Sequence, residues 1–65
     1  MQTDSEVFKI IFRDEDKNCV IDTVESNVIP VVGDIVLLST KEKFEINSRV
    51  ISFSMKRVII YGIKI

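Results

Sequence analysis

The sequence predicts an all-β fold, a five-stranded antiparallel small barrel formed by a single domain over residues 1–65. Two observations carry this prediction. Of the 65 residues, 20 are Ile or Val, against two Leu and no Ala. Branching at Cβ restricts χ1, which disfavours a helix slightly and suits a pleated strand. In addition, polar turn sequences divide the chain into five apolar segments of strand length.

The first two segments predict a hairpin. Residues 1–5 are polar and are expected to form a loose leader, after which Val7–Arg13 is the first strand. The run Asp14-Glu15-Asp16-Lys17-Asn18 is typical of a tight turn. Cys19–Val24 follows as the second strand and pairs with the first.

A proline-containing segment separates this hairpin from the rest of the chain. Val28–Val32 contains Pro30, which cannot donate to a central ladder, so we expect an edge segment or a covering flap. Gly33-Asp34 forms a turn that opens the third strand, Ile35–Thr40.

The remaining chain predicts two strands. A turn at residues 41–43 leads into a long fourth strand, Phe44 to about Ser54, which should bend near Asn47-Ser48 because the alternation fails there. A turn at residues 55–57 then leads into the last strand, Val58–Ile65.

Several strands are apolar on both faces, and a barrel of this size has one small interior. The predicted core comprises Phe8, Ile10, Phe12, Val36, Leu38, Ile46, Ile51, Phe53, Ile59, Tyr61 and Ile63. The surplus apolar residues must then meet the flap, a second copy of the chain or another protein. The predicted contact residues are Val58, Ile60, Ile65 and Leu37, because an apolar C-terminal strand at a sheet edge invites strand addition.

Charge is distributed unevenly along the chain. Residues 1–25 carry seven acids and three bases, for −4, whereas residues 26–65 carry three acids and six bases, for +3. A nucleic-acid-binding barrel is therefore the alternative function. Its candidate residues are Lys41, Lys43, Arg49, Lys56, Arg57 and Lys64.

The composition argues against catalysis. The chain has no His to serve as general base, only two Gly, and a single Cys, Cys19, which we expect to be a buried structural thiol. We predict no enzyme activity and no cofactor. The N-terminus does not resemble a signal peptide, and no apolar run is long enough for a membrane helix, so we expect a soluble cytoplasmic protein that does not bind membranes.

One acidic segment matches a calcium-binding loop at its side-chain ligand positions. The matching residues are Asp14, Asp16, Asn18, Asp22 and Glu25. The loop position that requires glycine is Cys19, and the flanking segments are predicted strands instead of helices. We therefore predict a solvated acidic hairpin and no metal site.

A second motif lies in the C-terminal half. Pro30-Val31-Val32-Gly33-Asp34-Ile35-Val36 is followed by Phe44-Glu45-Ile46 and then Arg49-Val50-Ile51-Ser52-Phe53. This pattern resembles the P-x-x-G-D-x-V signature of short, mostly uncharacterised SH3-like small barrels, many of them from bacterial and phage-type genomes. The resemblance covers residues 28–65 and implies an SH3-like binding scaffold, with an OB-like barrel as the second choice, without implying a ligand.

These observations together predict a small non-catalytic protein-interaction module. It either self-associates or docks on a larger protein through an apolar strand edge. Nucleic-acid binding is the competing prediction.

Overall fold

A computed structural model of the chain describes residues 7–65, so the predicted leader 1–5 lies outside the described residues. The strands are β1 (Phe8–Asp14), β2 (Cys19–Ser26), β3 (Ile35–Leu37), β4 (Lys43–Ser52) and β5 (Arg57–Lys64). The all-β class and all five predicted strands are confirmed, with strand ends shifted by at most three residues. Within residues 7–65, no helix is long and apolar enough to span a membrane.

The five strands form one strongly curled sheet, a half-barrel, in the order β2-β1-β5-β4-β3. Three neighbouring pairs are antiparallel, but β1 and β5 run parallel, so the prediction of a wholly antiparallel sheet is wrong at this pair. The N-terminal hairpin and the β3-β4-β5 meander are separate local units, and no turn connects β1 to β5. A pairing between distant segments leaves no signal in local sequence.

This order places β5 in the centre of the sheet, with β1 on one side and β4 on the other. The prediction that the last strand is an exposed edge is therefore wrong. The edges are β2 and the three-residue β3.

The core lies on the concave inner face of the half-barrel. Its buried members are Phe8, Ile10, Phe12, Leu38, Phe44, Ile46, Val58 and Ile60. The rings of Phe12 and Phe44 meet edge to face, with centroids 5.7 Å apart, a geometry that aromatic pairs favour. Ile21, Val24, Ile29, Val36 and Ile51 pack against this core and are partly buried.

The prediction for the last strand assigned its two faces the wrong way round. Val58 and Ile60 are fully buried, whereas Ile59, Tyr61 and Ile63 alternate with them and lie half-buried on the opposite face. Both sets are apolar, and side chains alternate with a period of two, so a shift of one residue exchanges them.

Phe53 was also predicted in the core, but 71% of its surface is exposed. The fourth strand ends at Ser52, so Phe53 belongs to the β4–β5 turn. Its ring lies edge to face against the ring of Phe8, and the two ring centroids are 6.1 Å apart.

A glycine explains which face of β5 is inside. Gly62 lies on the inner face and is buried. A Cβ at this position would overlap the Glu45 carbonyl oxygen and come within 2.7 Å and 2.9 Å of two Phe44 ring carbons. The missing side chain is what allows the Phe44 ring to lie against the strand.

The predicted bend in the fourth strand coincides with an irregularity. The β4–β5 register shifts between Ile46 and Ser48, so Asn47 is a bulge residue. A bulge bends and twists its strand, which helps the sheet curl around the core.

The segment that contains Pro30 lies over the open side of the half-barrel. Ile29 packs on the core, and the Arg49 guanidinium donates a hydrogen bond of 2.9 Å to the Pro30 carbonyl. Val28, Val31 and Val32 remain exposed. The flap therefore covers part of the core and leaves the apolar outer face of the sheet uncovered.

A second contact joins the two edges of the curled sheet, which we call the seam of the half-barrel. The Asp22 carboxylate, on edge strand β2, accepts hydrogen bonds from the Ser39 amide at 2.9 Å and from the Ser39 hydroxyl at 2.6 Å. Ser39 follows β3, so the Asp22 side chain, and not a backbone ladder, connects the two edges of the sheet.

Candidate protein-interaction surface

The convex outer face of the sheet carries a patch of apolar side chains. Residues in register on neighbouring strands point to the same side of a sheet. Ile11 of β1, Ile59 of β5 and Val50 of β4 are in register with one another, and Tyr61 and Ile63 continue the row along β5. These five residues define the apolar outer face.

None of these five side chains belongs to the core or packs against it. Val50 is 56% exposed and the other four are half-buried. At the margins of the face, Val20, Ile35, Leu37 and Ile65 are more than half exposed. Large contiguous apolar surfaces are uncommon on monomeric proteins and mark sites of interaction.

The predicted contact residues separate into two pairs. Val58 and Ile60 are fully buried in the core, so they form no contact surface. Leu37 is 66% exposed and Ile65 is 60% exposed, and both lie beside Lys43 at one end of the outer face. The prediction misses Ile11 and Val50 and places Ile59, Tyr61 and Ile63 in the core.

Charged residues lie at both ends of the apolar outer face. Lys9 and Arg57 are in register on β1 and β5 and form the basic end, with Glu25 beside Lys9 on β2. Glu45 lies between Ile63 and Ile35 at the opposite end, and Lys43 lies two residues away on the same face of β4. Arg13 of β1 is in register with Tyr61, in the middle of the face.

Within residues 7–65, the side chains of Lys9, Arg57 and Glu45 have no hydrogen bond or ion pair with another residue. The outer face therefore has an apolar row along β5 that is flanked by charged residues of both signs.

The candidate nucleic-acid residues do not form one stripe. Lys43 and Lys64 lie at one end of the sheet, near Lys41, and the Lys64 ammonium pairs with Glu42 at 3.4 Å. Arg57 and Lys56 lie at the other end of β5, roughly 20 Å away by strand rise. Arg49 donates to Pro30 and holds the flap.

The residues of the calcium-like pattern are also dispersed. Asp14 is buried, and its carboxylate accepts a hydrogen bond from the Asp16 amide at 2.8 Å, which stabilises the β1–β2 turn. Asp22 and Glu25 lie along β2, away from that turn. Among residues 7–65, no group of three or more acidic or cysteine side chains could hold a metal ion.

Among residues 7–65, Asp22 is the group whose acidity clearly changes on folding. The Ser39 hydroxyl and then the Ser39 amide, both donating to the carboxylate, lower the pKa of Asp22 below its ordinary value of 3.8. The charged form is therefore stabilised in the folded chain, and the contact is structural in character because it joins the two edges of the sheet.

Cys19 lies at the start of edge strand β2 and is exposed, so the expectation of a buried thiol is wrong. The reason is that β2 has no fully buried residue and Cys19 begins it next to the turn.

The chain matches no protein-family model, no curated protein and no solved structure.

Proposed function

We propose that this chain is a small, non-catalytic protein-interaction module that binds protein through the apolar outer face. The observation that carries the proposal is that Val50 is exposed, and Ile11, Ile59, Tyr61 and Ile63 are half-buried, on the side of the sheet opposite the core. Removing such side chains from water contributes about 25 cal/mol per Å², whereas leaving them in water contributes nothing to folding.

The SH3-like character of the barrel and a bacterial or phage-type origin belong to the same proposal. They rest on the motif in residues 28–65. Small barrels of this kind serve as scaffolds whose binding partner is set by surface residues and not by the fold.

A lysine at position 59 tests the proposal. Ile59 is half-buried at the centre of the outer face and packs on no core residue, so Ile59→Lys should keep the melting temperature within a few degrees. The same substitution puts a charge in the middle of the apolar contact and should weaken association with any protein partner, including a second copy, by about tenfold or more. Val31→Lys is the matched control, because Val31 is exposed on the flap.

Association is measured by light scattering over a concentration series and by pull-down with and without nuclease. Loss of association in Ile59→Lys but not in Val31→Lys supports the proposal. Association that is insensitive to Ile59→Lys contradicts it. Association that nuclease abolishes would favour nucleic-acid binding instead, and phosphate contacts would then make it weaken steeply with salt.

A further inference from the structure

The two open edges of the sheet share one side chain at the seam of the half-barrel. β2 is an edge strand of eight residues, and the short β3 is the other edge. The backbone amides and carbonyls along the outer side of an edge strand form a template on which another chain can add a strand. The pairing of β1 with its two neighbours determines which groups of β2 point into the seam.

The backbone groups of Thr23 point into the seam. The Lys9 amide donates to the Lys56 carbonyl, just before β5, so Lys9 and every second residue after it on β1 turn their backbone groups toward β5. Ile11 is one of these residues, and its register partner on β2 is Thr23. Directly opposite residues of an antiparallel pair turn their backbone groups either toward each other or away from each other. The Thr23 amide therefore points away from β1.

The Asp22 carboxylate occupies an amide donor of each edge. Its Oδ1 accepts a hydrogen bond from the Thr23 amide at 2.9 Å, and its Oδ2 accepts one from the Ser39 amide across the seam at 2.9 Å. Asp22 is in register with the buried Phe12, so its side chain lies on the inner side of the sheet. The Ser39 hydroxyl and amide lower the pKa of Asp22, so the carboxylate is charged at neutral pH.

We propose that Asp22 guards the open edge of β2 against the addition of a strand from another chain. An incoming strand would need the Thr23 amide as a donor, and the carbonyl that accepts from this amide would have to lie beside a carboxylate. Inward-pointing charged residues on edge strands are one of the devices by which natural sheets avoid edge-to-edge association. This inference stands independently of the proposed function, because it concerns the edge of β2 and not the outer face.

A β-bulge in β2 acts in the same direction. The β1–β2 register shifts between Phe12 and Arg13, which leaves Ile21 as a bulge residue. A bulge bends its strand and interrupts the regular row of donors and acceptors that an added strand needs. An added strand would therefore have to pair with the regular part of the edge, where Asp22 holds the Thr23 amide.

Removal of the carboxylate tests the guard. Asp22→Ala opens the Thr23 amide to another strand, so the average solution mass at high concentration should rise about twofold or more above that of the wild type. Thr23→Pro is the rescuing change, because proline has no amide hydrogen and the Thr23 amide makes no bond to β1. The double variant Asp22→Ala/Thr23→Pro should therefore return to the wild-type mass. Ser39→Ala is the control for a loosened seam, because it keeps the carboxylate and should have the wild-type mass.

The solution mass is measured by light scattering over a hundredfold concentration range, beside the chain mass of 7.5 kDa. Circular dichroism melting verifies that each variant is folded. Amide hydrogen exchange of the wild type is a second measurement that needs no variant. Glu25 is the matched control for Thr23, because it is opposite Lys9 and its amide also points into the seam. The Thr23 amide should exchange about tenfold more slowly than the Glu25 amide after correction for intrinsic rates.

A mass that rises in Asp22→Ala and returns to the wild-type value in Asp22→Ala/Thr23→Pro supports the inference. A folded Asp22→Ala protein of wild-type mass overturns it, and so does a rise that Thr23→Pro does not reverse, because the added contact then lies elsewhere. If Asp22→Ala does not fold, the exchange measurement decides. A Thr23 amide that exchanges as fast as the Glu25 amide then overturns the inference, and slower exchange at Thr23 supports it.

Discussion

Gly62→Ala tests the packing that decides which face of β5 is inside. The added methyl would overlap the Glu45 carbonyl oxygen and approach two Phe44 ring carbons to 2.7 Å and 2.9 Å. The carbonyl belongs to the main chain of the neighbouring strand and cannot swing aside as the end of a flexible side chain can. Strand β5 must therefore move away from β4, and the Phe44 ring must also shift.

The magnitude follows from two opposing effects. Overpacking in a core costs about 1–3 kcal/mol, and replacing glycine reduces the entropy of the unfolded chain, which offsets about 0.4–1 kcal/mol. Because one of the overlapping atoms is main chain, we expect a net loss of about 2 kcal/mol. A domain of this size loses about 4–8 °C of melting temperature per kcal/mol, so the expected shift is about 8–16 °C.

The assay is thermal and urea unfolding followed by circular dichroism. Gly33→Ala is the contrasting control, because no heavy atom lies within 4 Å of its Cβ position and its φ is +96°, so its loss of about 1–2 kcal/mol comes from backbone strain alone. Phe44→Leu removes the ring carbons and should make the effect of Gly62→Ala smaller in the double variant. A Gly62→Ala protein that melts at or above the wild-type temperature would refute the assignment of β5.

Two further predictions concern the core and the seam. Ile60→Lys should unfold the domain, because Ile60 is fully buried and the free-energy cost of burying an unpaired charge exceeds the few kcal/mol of stability that a core of this size provides. An Ile60→Lys protein that is folded, as measured by circular dichroism, would show that the face assignment is reversed. Ser39→Ala should cost about 1 kcal/mol at neutral pH by removing the hydroxyl that donates to Asp22. The pKa of Asp22 is lowered in the folded chain, so its contribution is complete above the ordinary value of 3.8 and is lost as pH falls through the folded pKa. The difference in unfolding free energy between wild type and Ser39→Ala should therefore shrink below about pH 4, and a difference that stays constant down to pH 2 would contradict this contact.

Local sequence was sufficient for the class and the elements of the fold. The excess of Ile and Val, the acidic turn after β1 and the Gly33-Asp34 turn are signals that act over a few residues, and all five strands are confirmed. The parallel pairing of β1 with β5 was not predictable in this way, because it joins segments almost 50 residues apart.

The faces of the strands were harder to assign for a different reason. Ile59, Tyr61 and Ile63 are as apolar as Val58 and Ile60, so hydrophobicity alone does not decide between them. One signal was available: a glycine inside a strand often marks a close approach by another group. Gly62 shares a face with Val58 and Ile60, and weighing it would have placed that face inside.

The sequence predicts that an exposed apolar surface exists, but it does not predict where that surface lies. The surplus of apolar residues over what a small barrel can bury indicated an exposed apolar surface, and such a surface is present. Its location depends on the face of β5 and on the central place of β5 in the sheet, and both required the three-dimensional structure. The charged residues that flank this surface likewise lie beside it only because of the register of β1, β4 and β5.

The most direct test of the central claim is methyl NMR of the isoleucines with a soluble paramagnetic agent, recorded at low and at high protein concentration. At low concentration, we expect strong relaxation of Ile11, Ile59 and Ile63 and protection of the core residues Ile10, Ile46 and Ile60. Where the chain self-associates at high concentration, the outer isoleucines should become protected, because the proposed function places the contact on the outer face. Outer isoleucines that are protected at every concentration, or that stay exposed at every concentration while the chain associates, would contradict the claim that this face is the contact surface.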